Sequence, residues 1–149
     1  MVWGAFAFNG VFDLAFVSGR QCSEDYQKTL NDFLVPRARH LVGSDFIFQQ
    51  DNAPIHASKS TLEWLRSKNI NVMKWPARSP DLNPIENLWG ILARDVYKSQ
   101  RQFISVNELR SQIEQSWYNI KIETLETLVD SMRNRVFEVI KSNGSIIKY

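Results

Sequence analysis

The sequence predicts an α/β chain, a mixed β-sheet with helices packed on it. Three observations predict this class. Two apolar, aromatic runs, Val2 to Phe8 and Val11 to Val17, flank Asn9-Gly10, the strongest short hairpin signal. Short apolar runs at Asp45–Gln50 and Ile70–Met73 then enclose a helical pattern. Beyond Asn83 come three amphipathic helical patterns in succession. A leading hairpin followed by alternating strands and helices gives a sheet with antiparallel and parallel neighbours.

The elements follow in order. The hairpin closes at Ser18-Gly19-Arg20. Ser23 can cap a helix whose Tyr26, Leu30, Phe33 and Leu34 share one face. Pro36 should kink that helix or start a new segment, which runs to Leu41 before Gly43. The run from Asp45 reads as a buried strand ending at Asp51, and a helix from Ser58 or Ser60 to Lys68 turns Leu62 and Leu65 inward. Ile70–Met73 is the next strand, and Trp75 to Asn83 an irregular, proline-rich loop. Asn83-Pro84 supplies an N-cap and a proline at the first helical position, opening a helix to about Tyr97. Ser105-Val106-Asn107-Glu108 has capping-box form and opens a helix with Leu109, Ile113 and Trp117 on one face. The last helix aligns Leu125, Val129, Met132, Val136 and Val139 or Ile140, and ends near Asn143-Gly144.

Composition narrows the class. At 149 residues, 44% hydrophobic, with five tryptophans, the chain suits one globular domain with a substantial core. Cys22 is the only cysteine, which excludes an intramolecular disulfide and a thiolate metal site and fits a reducing compartment. The first residues lack the pattern of a secretory signal, and no apolar run reaches the roughly 20 residues of a membrane span. Net charge is +2, but residues 59 to 110 hold nine Lys or Arg against five acids. That surround suits a polyanion and equally suits a solvated mixed surface.

Two carboxylates stand out, Asp51 and Glu86, with 34 residues between them. Asp51 follows a strand, where open α/β sheets place their sites, and a carboxylate there suits Mg²⁺ or Mn²⁺. It equally suits an Asx turn. Glu86 lies three residues after Asn83, so it can complete a capping box by reaching back to the Asn83 N–H, or it can bind metal. Both roles use the same oxygens. Asp81 is a third acid in that loop. His56 can contact a phosphate, orient Asp51 or pack in the loop, and Asn52 can support either carboxylate by hydrogen bonding. Trp75 and Trp89 read as packing anchors before base-stacking platforms. Phosphodiester chemistry by two metal ions would use such acids, but two are too few to define the site.

The blocks Gln50-Asp51-Asn52-Ala53-Pro54 with His56, Trp75-Pro76-Ala77, and Ser79 through Trp89 resemble the catalytic domain of Tc/mariner-type DDE transposases. Val2-Trp3-Gly4 with Asn9-Gly10 resembles that domain's early hairpin, and Leu128-Val129-Asp130-Ser131-Met132 through Lys148-Tyr149 its C-terminus. The resemblance covers nearly the whole chain, residues 1–149 forming a single partial catalytic domain. It implies an RNase H-like fold, Mg²⁺ or Mn²⁺, and cut-and-paste transposition in the nucleus. It implies DNA, as transposon ends and target, for a partner; it allows a homodimer and needs no membrane. Asp51 becomes the second catalytic aspartate and Glu86 the third acid, both metal ligands, with Asn52, His56 and Asn83 supporting them. No DNA-contacting residue is assigned.

One departure matters. The family's first catalytic aspartate lies on a strand that would precede Met1, as would its helix-turn-helix region. Asp13, Asp25, Asp32 and Asp45 do not match that place. The expectation is therefore a sheet lacking its first, central strand, with open edges unless the hairpin pairs directly with the Asp51 strand. An inactive remnant is expected, or alternatively a retained DNA-binding or protein-interaction module.

Overall fold

The computed structural model describes residues 1–147. Lys148 and Tyr149, where the resemblance ends, lie outside the described residues. The chain divides into two compact units, one of Met1–Ala5 with Phe12–Ser79, the other of Phe6–Val11 with Pro80 onward.

In the first unit, β1 (Val2–Trp3) pairs antiparallel with β4 (Ala15–Phe16), Val2 opposite Phe16 and Trp3 opposite Ala15. The Phe12 N–H donates to the Ala5 carbonyl at 2.8 Å. Two steps along one strand thus match three along the other, which is a β-bulge. Phe12, Leu14 and Ala15 are all buried beside it. Helix α1 (Ser23–Thr29) passes through a π-helical segment (Leu30–Leu34) into α2 (Val35–Val42). Pro36 has no N–H to give the preceding turn, and the widened turn accommodates it without ending the helix. Gly43, at φ +85°, stops the run as expected. The α1 cap falls one residue before the expected Ser23. Cys22 is the N-cap, its N–H and thiol both donating to the Asp25 carboxylate at 3.0 and 3.1 Å, while the Ser23 hydroxyl donates to Ser58.

β5 (Ile47–Phe48) pairs in parallel with β6 (Asn71–Val72). Both are shorter than the sequence suggested, and Ile47 is 56% exposed while Phe48 is buried. Helix α3 (Lys59–Ser67) connects them, capped by the Ser58 hydroxyl accepting from the Thr61 N–H, with Leu65 fully buried. Among the described residues the strands do not join into one sheet, in keeping with the expected lack of a central strand. Among the described residues β1–β4 and β5–β6 remain separate pairs, so the hairpin does not pair with the Asp51 strand. With only two paired residues in each strand, β5 has β6 as its one strand partner among the described residues, and Ile47 is exposed there.

In the second unit, β2 (Phe6–Ala7) and β3 (Gly10–Val11) form the hairpin tip. The two-residue loop is Phe8-Asn9, one position earlier than Asn9-Gly10, because Gly10 itself pairs with Ala7 at φ +153°. Helix α4 (Pro84–Val96) packs against α5 (Val106–Tyr118) and α6 (Ile122–Lys141), and β2 lies on α6. Ser105 caps α5 as expected, accepting from the Glu108 N–H at 3.1 Å. Trp117 is fully buried and stacks on Trp89 at 5.2 Å between ring centroids. On α6 the buried stripe is Leu125, Leu128 and Arg135, whereas Val136 and Ile140 are exposed. The helix is turned from the expected face because Arg135 has a place in the core.

Candidate active site

The two acids are presented by different local structures. Asp51 lies three residues past the end of β5, in an irregular segment that begins at Gln49, and not at the strand end expected. Its Oδ1 accepts from the Ala53 N–H at 3.0 Å, an Asx turn, and faces His56 Nδ1 at 2.6 Å. A carboxylate that only accepts is matched by the His56 tautomer with its hydrogen on Nδ1. Oδ2 has no hydrogen-bond partner among the described residues, and the side chain is half exposed. The turn and ligand roles are therefore compatible: one oxygen holds the loop, the other is open.

Three residues brace this turn. The Tyr26 ring lies against His56 at 4.1 Å, and its hydroxyl donates to Gln50 Oε1 at 2.8 Å. Gln50 Nε2 donates to the His56 carbonyl at 3.1 Å. Burial pushes the Tyr26 phenol well above its usual range, and the Asp51 charge adds to that. Of the sequence alternatives for His56, two hold together: it orients Asp51 and it packs. Asn52 donates to the Trp75 carbonyl at 2.9 Å and bonds to neither carboxylate, so it ties two loops together.

Glu86 is the third residue of α4, after the Asn83 N-cap and Pro84 at the first helical position. The competing capping role is not taken, since the Asn83 N–H donates to the Pro80 carbonyl at 2.9 Å and only the Glu86 backbone N–H reaches back, to the Asn83 carbonyl at 3.1 Å. Glu86 is exposed, and among the described residues its carboxylate has no hydrogen-bond or ion-pair partner. Leu82, Pro84 and Leu88 are buried around the helix start and fix it. Asp81 is occupied otherwise: its Oδ2 accepts from the Ile147 N–H at 2.9 Å. Asp13 is paired with Arg37 at 2.5 Å.

Sequence reasoning missed two supports. Tyr26 was placed on a core face and Gln50 inside a motif, but their bond, 24 positions apart, had no local signal. Arg135 was missed altogether, as an arginine within an apolar helix face.

With this geometry in view, known proteins supply the context. The sequence model described as DDE superfamily endonuclease matches residues 1–110, a span that contains both Asp51 and Glu86. The chain belongs to that family. It is 47% identical over 149 residues to the transposable element Tc3 transposase of Caenorhabditis elegans, covering all of this chain and 45% of that protein. It is 36% identical over 149 residues to the Tcb2 transposase of Caenorhabditis briggsae, covering all of this chain and 54% of that protein. The chain thus spans about half the length of these curated relatives. Structures of the Mos1 transposase catalytic domain with Mg and with Mn superpose with TM-scores of 0.86 and 0.85, each at 19% identity over 99% of this chain and 76% of theirs. A Mos1 paired-end complex with left transposon end gives 0.86 at 20% identity, over 99% of this chain and 44% of that one. The Tc/mariner resemblance and the RNase H-like fold expected from it are thereby borne out.

Proposed function

We propose that this chain is the metal- and DNA-handling part of a Tc/mariner-type transposase, with Asp51 and Glu86 as its metal-ligating carboxylates. One observation carries this reading. Both acids fall inside the family match, and each keeps a carboxylate oxygen that no other described residue engages. In donor chemistry they fit Mg²⁺ or Mn²⁺, hard ions that take oxygen ligands and complete their shell with water and phosphate. When bound, such ions activate the attacking oxygen and stabilise the leaving one. This chain's own residues do the preparation: His56 and the Ala53 N–H hold one Asp51 oxygen, and the Asn83–Pro84 start of α4 presents Glu86.

In number, the donors fall short. Among the described residues no group of three or more His, Cys, Asp or Glu is placed to hold a metal. We therefore propose that residues 1–149 bind divalent metal and DNA weakly and cut DNA only when a further carboxylate joins Asp51 and Glu86. DNA as partner is supported by the Mos1 complex on a transposon end; action in the nucleus and a homodimer are proposed with it. No helix among the described residues is long and apolar enough to cross a membrane.

The test is Mn²⁺ titration of the full chain, followed by electron paramagnetic resonance, with Asp51→Asn and Glu86→Gln variants. Each variant is expected to weaken binding; affinity unchanged in both would sink the ligand assignment. A transposon-end duplex incubated with Mn²⁺ is expected to stay intact. Robust cutting that Asp51→Ala abolishes would overturn the shortage of ligands.

A further inference from the structure

Arg135 is 1% exposed, in the middle of α6. A buried guanidinium is costly unless its donors are met, and here each nitrogen has an acceptor. Nε donates to the Ser131 hydroxyl at 2.9 Å, one turn back on the same helix. Nη1 donates to the Asp81 carbonyl at 2.7 Å, and Nη2 to Asn87 Oδ1 at 2.8 Å. Ser131 in turn donates to the Leu128 carbonyl at 2.7 Å, which fixes the hydroxyl that aims the fork. The two distant acceptors bracket a segment of seven residues, and Glu86 lies inside it, adjacent to Asn87. The tail holds the same segment, the Ile147 backbone N–H donating to the Asp81 side-chain Oδ2 at 2.9 Å.

We propose that Arg135 is a positioning residue: by clamping Asp81 and Asn87 it fixes the start of α4 and so the direction of the Glu86 carboxylate. The inference rests on Glu86 being a metal ligand. A planar fork with donors at fixed angles is what three acceptors on two segments require; a lysine ammonium is a single point and cannot reach all three. The Glu86 carboxylate itself has no hydrogen-bond partner among the described residues. Its direction therefore follows the start of α4, which Arg135 grips through the Asp81 carbonyl and the Asn87 side chain.

The experiment measures Mn²⁺ affinity of the full chain by electron paramagnetic resonance for the wild type, Arg135→Lys, Glu86→Gln and the double variant. Circular dichroism and amide exchange run alongside. Arg135→Lys should stay folded, speed exchange of the Asn83 and Glu86 amides, and weaken Mn²⁺ binding about tenfold, the scale of lost outer-shell support. In the Glu86→Gln background the same change should cost almost nothing further, because both act through one carboxylate. An Arg135→Lys loss that persists in full in that background would overturn the proposal, since a merely structural arginine behaves so. Wild-type exchange and affinity in Arg135→Lys would overturn it too. If Glu86→Gln binds Mn²⁺ like the wild type, the ligand reading falls and this inference with it. If Glu86→Gln is weakened and Arg135→Lys is not, only the positioning role falls. Asn87→Ala, which removes a single acceptor, carries the same measurements should Arg135→Lys fail to fold.

Discussion

Asp51 and Glu86 are two acids held in opposite ways. Asp51 is held through its own carboxylate by neighbours two and five positions along the chain. Glu86 is held through its backbone, by an arginine bonded to partners 54 and 48 positions away. The first arrangement spends one carboxylate oxygen on structure; the second leaves both free. The difference teaches where each acid is vulnerable. A change near Asp51 alters a local turn, whereas a change far along the chain, on α6, alters the support of Glu86.

The largest expected effect tests the distant support. Arg135→Met fills a similar space but leaves the Asp81 carbonyl and the Asn87 amide without their donor. Unsatisfied buried polar groups cost about 1–3 kcal/mol each, so a loss of about 3 kcal/mol is expected in urea unfolding. Exchange should rise first across residues 81 to 88 and leave α3 untouched. A loss below about 0.5 kcal/mol, the range of ordinary surface changes, would show that the clamp is not structural either.

How much of this was legible follows the same division. The α4 start was readable from Asn83-Pro84, and the Ser58 and Ser105 caps from their spacing, because each bond spans three or four residues. The Asx turn at Asp51 was readable for that reason. Cys22 displaced Ser23 as a cap because Asp25 binds the preceding N–H, a competition that single-residue preference does not resolve. The α6 face was misjudged because hydropathy scores Arg135 as solvent-facing, while its three bonds repay its burial. The turn at Phe8-Asn9 instead of Asn9-Gly10 was a one-residue error, set by which residue Gly10 pairs with. The joining of strands was least legible, since each pair contributes only two residues per strand.

A smaller effect tests the local support. His56→Ala removes the 2.6 Å contact to Asp51 and the ring on Tyr26. Hydrogen bonds to charged groups contribute about 1.5–3 kcal/mol, and half-exposure of Asp51 screens this, so a loss of about 1 kcal/mol is expected. Mn²⁺ affinity should fall several-fold as Asp51 loses its orientation, and the exchange of residues 81 to 88 should not change. A response at those residues would break the division between the two supports.

The smallest effect depends on pH. Tyr26→Phe keeps the ring on His56 and removes the bond to Gln50, worth about 1 kcal/mol at pH 7. The Tyr26 phenol is raised in the folded chain, chiefly by burial, above the ordinary value near 10. Its contribution is therefore present in full below about pH 10, where the phenol is neutral in both states. Above that, the unfolded chain ionises freely while the folded chain resists, so stability falls by up to about 1.4 kcal/mol per pH unit. The phenylalanine variant has no such group. Urea midpoints from pH 7 to 11 should start lower for Tyr26→Phe and meet the wild-type curve near pH 11. Parallel curves across that range would mean that Tyr26 titrates normally and that the brace behind His56 is open to water.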